Sequence, residues 1–207
     1  GGTNYIGDVG PTTYINPFLS ENIGEDAEDV SNSVVGIFYR KNMSNRFAIK
    51  AGFNFGTIQS SDSWKGSADY RAERGKYFRN SIQEFHLGLD FNFLEFETSS
   101  NNFEFTPYIH TGLSLIRFDA LHYPIGINEA QAYGKDNDLA LPITVGIKMK
   151  PLNSFIVGFE ISAKHSFTEN LDGSYPKFDD SSLYSQRPFG SNLSQDWYVY
   201  TGITLTS

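Results

Sequence analysis

Residues 47–58, FAIKAGFNFGTI, interleave two sets of side chains: Phe47, Ile49, Ala51, Phe53, Phe55 and Thr57 alternate with Ala48, Lys50, Gly52, Asn54, Gly56 and Ile58. Successive side chains of a strand point to opposite faces, so this period of two specifies a strand with one oily face and one small or charged face. The pattern recurs at 34–40, 82–93, 105–115, 141–149, 154–164 and 196–205, and the 1–7 stretch reads as the end of an eighth strand. A soluble barrel of the lipocalin kind buries the oily face, whereas a membrane barrel turns it to lipid and fills its lumen with the polar face.

Three features favour the second arrangement. Each of the seven clear strands carries a glycine in its polar set, namely Gly36, Gly52, Gly88, Gly112, Gly146, Gly158 and Gly202. A solvated surface has no need of such a row, but an eight-stranded interior is only just wide enough for side chains to fill. Tyr39, Phe47, Phe93, Phe105 and Phe155 belong to the oily set and lie beside short turns, where a membrane-interface girdle belongs. Connections also alternate in length. Short turns at 41–45, 97–102 and 150–154 separate connections of roughly 20 to 27 residues at about 8–32, 59–80, 118–138 and 169–195, longer than compact soluble domains use. The expected fold is all-β: one eight-stranded up-and-down antiparallel transmembrane β-barrel domain over 1–207, with four long loops on one rim, short turns on the other and an incomplete first strand.

Composition narrows the function. A net charge of -8 argues against a nucleic-acid partner, which needs clustered Lys and Arg. No run approaches the roughly 18 apolar residues of a membrane helix. With no Cys, thiolate metal sites and disulfides are excluded.

The expected lumen holds Lys50, His86, Asp90, His110, Lys148, Glu160 and Lys164, with Asn54, Asn92, Tyr198 and Tyr200. Charges inside a closed barrel must pair. Lys50 is expected to pair with Asp90, and Glu160 with Lys148 or Lys164. Two roles are open to this network, a plug that rigidifies the barrel or a path for protons or ions. His165, Ser166 and Glu169 suggest a hydrolase, but adjacent strand residues point to opposite faces, so no catalysis is expected. His122 has no second His at ligand spacing, and neither a metal nor another cofactor is expected. The acidic first loop (Glu21, Glu25, Asp26, Glu28, Asp29) and the mixed second loop (Lys65, Arg71, Arg74, Lys76, Arg79) read as solvated surfaces, the alternative being a Ca²⁺ or lipopolysaccharide-phosphate contact, for which no EF-type calcium spacing is present.

Beside the alternating strand DWYVYTGITLT at 196–206, several stretches carry no period: GGTNYIGDVGPTTYINP at 1–17, RAERGKYFRNSI at 71–82 and FTENLDGSYP at 167–176. Together with the strands at 83–93 and 106–119 they resemble the PorG-like family of Bacteroidetes, outer-membrane barrels associated with the type IX secretion system and gliding motility. The resemblance implies a non-enzymatic barrel in the outer membrane, with periplasmic termini, that anchors a periplasmic ring of a PorK-like lipoprotein and a PorN-like partner. It implies no small-molecule substrate. By topology the ring would meet the short-turn rim, at Lys41, Asn42, Ser44, Asn45, Arg46, Thr98 to Asn102, Lys150 and Asn153. The alternative is a stand-alone adhesin or envelope-stabilising barrel working through its long loops, and a third reading is a lipid hydrolase of the outer rim.

Overall fold

The computed structural model describes residues 1–12, 32–99, 102–152, 155–177, 188–190 and 195–206. Eight strands follow in order: β1 (Gly2–Ile6), β2 (Val34–Asn42), β3 (Phe47–Ser61), β4 (Tyr77–Asn92), β5 (Glu104–His122), β6 (Gln131–Leu152), β7 (Phe155–Ser166) and β8 (Trp197–Thr206). One helix, α1 (Asp69–Arg74), interrupts the connection between β3 and β4 and ends at Gly75, whose φ of 63° is left-handed.

The strands form one antiparallel sheet in the order β1-β8-β7-β6-β5-β4-β3-β2, the up-and-down arrangement with the first strand beside the last. The edges β1 and β2 meet at the isolated bridge Gly2↔Ser33, flanked by the Gly1–Val34 hydrogen bonds of 2.8 and 2.9 Å. No continuous ladder joins them, so the sheet curls round to bring its edges together at one end without closing along their length.

Alternation decides which face is which. Along β4, Phe85, Leu87 and Leu89 are each more than half exposed, whereas Glu84 and Asp90 are fully buried. The same inversion holds for Phe53 and Phe55 against Lys50 on β3, and for Ile161 and Phe159 against Lys164 on β7. The wall is therefore oily outside and charged inside, the reverse of a soluble barrel.

Glycines let the interior close. Gly88 and Gly112 are register partners, and a Cβ on Gly112 would lie 2.1 Å from the Leu87 carbonyl and 2.4 Å from the Gly88 Cα. At Gly146 a Cβ would meet the Tyr108 ring at 2.7 Å, so the missing side chain is where that ring lies. Nearer the long loops the interior turns apolar, with Ile58, Phe78, Ile82, Ile116, Phe118, Ala140, Tyr198 and Tyr200 packed together.

Two long connections are shorter than the sequence suggests. The expected loops at 59–80 and 118–138 reduce to 62–76 and 123–130, because β3, β4, β5 and β6 continue past the oily band. There the exposed positions become Arg79, Arg117 and Asn137, so the hydrophobic period ends while pairs such as Gln59↔Arg79 and Arg117↔Asn137 continue the ladder. Backbone pairing needs no apolar face, which is why hydropathy loses these strands.

Candidate functional site

The lumen holds three carboxylates, each bridging to strands across the interior. Asp90 on β4 lies 2.8 Å from Lys148 Nζ and 2.9 Å from Arg40 Nε through Oδ2, and its Oδ1 is 2.9 Å from His110 Nδ1. Glu84 accepts Lys164 Nζ and the Ser114 hydroxyl, each at 2.6 Å from Oε1. Glu160 on β7 accepts Lys50 Nζ at 3.1 Å and the Tyr108 hydroxyl at 2.5 Å. His86 contacts Asn54 Nδ2 at 3.3 Å and stacks edge-on against His110 at 5.8 Å.

All seven lumen residues expected from the sequence are brought together, but the pairing differs. Lys50 takes Glu160 and not Asp90, because its register partner on β4 is Gly88 and the chain reaches across the lumen. Glu160 takes neither Lys148, which belongs to Asp90, nor Lys164, which belongs to Glu84. Glycine rows clear the wall of intervening side chains, so long cations span the interior. Two members escape the sequence reading, Arg40 and Glu84, although each continues the inward parity of its own strand.

Among the described residues four cations (Arg40, Lys50, Lys148, Lys164) pair with these three carboxylates, and Lys150 also turns inward nearer the short-turn rim. Aromatic faces offset the excess: Lys148 sits 4.0 Å from the Tyr108 centroid, Lys164 4.3 Å from Tyr200 and Lys50 4.8 Å from Phe38. The result is a cross-braced, charge-paired interior suited to holding strands together.

At the short-turn rim the turns tie to one another. Arg46 donates to the Phe93 carbonyl at 2.9 Å and lies 3.7 Å from Glu95, the Asn45 carbonyl accepts from Phe96 N and Asn92 Nδ2, and Asn42 reaches Thr98. Lys41 and Arg46 are exposed. Lys150 is not an outward contact: it is 3% exposed and donates inward to the Thr98 carbonyl at 2.6 Å, since it shares the inward parity of Lys148. Asn153 lies outside the described residues.

The long-loop rim carries an assembly that no periodicity announces. The aperiodic stretches YIGDVG, ERGKYFRNSI and ENLDGS converge there into a buried polar cap. Arg71 donates to the Gly7 and Gly10 carbonyls, both at 2.8 Å. Asp62 accepts Arg74 Nε at 2.8 Å, Gly10 N at 2.8 Å and Lys76 N at 3.0 Å. Asn80 donates to Leu171 O at 2.7 Å and Asp119 O at 2.9 Å.

Beneath them two carboxyls are fully enclosed. Asp196 accepts the Tyr5 hydroxyl at 2.5 Å and Leu171 N at 2.9 Å, and Asp172 accepts Ser174 N at 2.8 Å. Burial raises the pKa of both; the Asp172 charge pushes Asp196 well above the carboxylate range, and Asp8 adds to the rise at Asp172.

His165 and Ser166 face opposite sides, as alternation requires. His165 packs edge-on against Trp197 at 4.7 Å, while the buried Ser166 hydroxyl donates to Asp196 O at 2.7 Å. Among the described residues no three His, Asp or Glu side chains are grouped to hold a metal ion.

No curated protein and no solved structure matches the chain. The family model described as a domain of unknown function, DUF6089, matches residues 1–207, and the chain belongs to that family.

Proposed function

We propose that the chain is a transmembrane barrel of the bacterial outer membrane that serves the type IX secretion and gliding machinery by anchoring a periplasmic ring, the PorK-like lipoprotein and its PorN-like partner. The observation that carries the membrane part is the inverted wall, with Phe85, Leu87 and Leu89 outside and Glu84, His86 and Asp90 inside. Its dimensions agree. Along β5 the oily face runs from Phe105 to Leu115, about 33 Å of strand or about 25 Å of height at a tilt of about 40°, the band height of outer-membrane barrels.

The secretion role is supported by the family resemblance and by the rigid short-turn rim, where exposed Lys41 and Arg46 remain as contacts and buried Lys150 does not. Co-purification of a ring protein with the intact barrel, lost when the 41–46 turn is replaced by Gly-Ser, tests it. Unchanged co-purification contradicts it. A second reading, a stand-alone barrel acting outward, is favoured by one observation: the aperiodic stretches meet in the cap at the long-loop rim and not at the short turns.

A further inference from the structure

The polar interior opens at the short-turn end into a recess of about 190 Å³. Its walls come from strand ends. Arg40 and Asn42 lie at the end of β2, Lys148 and Lys150 near the end of β6, Thr206 at the end of β8, and Thr98 folds in from the turn after β4. At about 30 Å³ for one water, the recess has room for one carboxylate-bearing side chain.

Arg40 is the unsatisfied group here. Its side chain is 7% exposed, yet its guanidinium makes no hydrogen bond among the described residues, and Nε and Nη2 are buried in that state. The carboxylate it touches is shared. Asp90 Oδ2 lies 2.8 Å from Lys148 Nζ and 2.9 Å from Arg40 Nε, and Oδ1 is taken by His110 at 2.9 Å. Arg40 therefore meets Asp90 as a charge, off the hydrogen-bonding direction. The Phe38 and Tyr108 rings, centred 5.1 and 5.9 Å from its Cζ, offset part of the cost. Lys150 adds its charge to the same walls; its Nζ is held by the Thr98 carbonyl at 2.6 Å, and the half-buried Glu104 is its register partner on β5. Arg40 and Lys148 still divide one carboxylate, so a positive surplus stands beside a planar donor with unused N–H groups. That combination suits a carboxylate.

We propose that this recess seats one acidic side chain of a periplasmic partner, its carboxylate accepting from the Arg40 guanidinium. The inference rests on the ring-anchoring reading above and names the chemistry of that contact. It carries the contact from the surface of the short-turn rim into the mouth of the barrel.

Arginine labelled with nitrogen-15 makes the seat visible in the full chain held in micelles, since Arg40→Lys identifies the Nε–H resonance of Arg40. The probe is acetate, titrated at constant ionic strength. A saturable shift of that resonance at roughly millimolar acetate is expected for two charge-assisted hydrogen bonds. Thr206→Asp brings the chain's own carboxylate into the recess, and its Arg40 resonance is expected near the acetate-saturated position and indifferent to acetate. A shift that never saturates, or an equal acetate response in Thr206→Asp, overturns the seat. The partner is tested by co-purification of the ring lipoprotein. Arg40→Gln and Thr206→Asp are each expected to lower its recovery about tenfold while the barrel keeps heat-modifiable migration. Undiminished recovery in either variant, with the acetate shift saturable, assigns the seat to free anions and overturns the partner assignment. Absence of the lipoprotein from wild-type preparations contradicts the ring reading and the partner assignment with it, whatever acetate does.

Discussion

Lys50 on β3 and Glu160 on β7 meet at 3.1 Å across the interior, joining strands that share no ladder. The Tyr108 hydroxyl from β5 closes on the same carboxylate at 2.5 Å, so one acid fastens three walls. Lys50→Ala leaves Glu160 without its cation and is expected to lower unfolding stability by about 3–5 kcal/mol. The double variant with Glu160→Gln recovers part of that loss. Unfolding in urea with vesicle-embedded protein measures both, and strict additivity of the two single effects contradicts the pairing.

Gly112 faces Gly88 with backbone on every side. Gly112→Val forces β4 and β5 apart and is expected to cost about 1–3 kcal/mol or to prevent folding, whereas Gly134→Ala, at a position with nothing within 4 Å, is neutral. Folding yield and thermal unfolding compare the two directly. Equal behaviour contradicts the packed interior.

How much of this was legible follows from parity. Alternation alone places Phe53 and Phe55 outside and Lys50, Asp90, Lys148 and Lys164 inside, because a strand offers only two faces. The same rule, carried two residues further, would have put Glu84 and Arg40 in the lumen and removed Lys150 from the partner surface. Partner choice within the lumen was not legible: Lys50 reaches across to β7, and nothing in local spacing says how far apart two walls stand. The cap was illegible for a different reason. Arg71, Arg74, Asn80 and Asp172 lie in stretches without period, and their meeting depends on tertiary hydrogen bonds.

Asp172 and Asp196 give the cap a pH dependence with a definite sign. Both pKa values are raised in the folded cap by burial and by neighbouring acids, so the folded form holds more protons than the unfolded one above the ordinary carboxylate pKa of about 3.9. Cap stability is therefore full below that pH and falls as pH rises through the raised values. Hydrogen exchange of the 167–177 amides across the pH range, corrected for intrinsic rates, should show this loss. Asp172→Asn keeps the acceptor for Ser174 N and flattens it; an unaltered profile in that variant contradicts the assignment.

Arg74 holds the cap through Asp62, which is wholly buried and also accepts Gly10 N and Lys76 N. Arg74→Met leaves that carboxylate uncompensated. Limited proteolysis is expected to cut the long loops much faster while the strands stay resistant and heat-modifiable migration is retained. Loss of strand resistance as well would mean that cap and wall do not unfold separately.

The inverted wall is tested most directly on β4, in a chain whose lack of cysteine makes every introduced one unique. Nitroxide labels are placed one at a time at residues 84 to 90 of the vesicle-embedded protein, and collision with oxygen is compared with collision with a water-soluble nickel chelate. Oxygen-dominated collisions are expected at 85, 87 and 89, and low access to both agents at 84, 86 and 90. Nickel-dominated collisions at Phe85, Leu87 and Leu89 would place that face in water and contradict the membrane barrel.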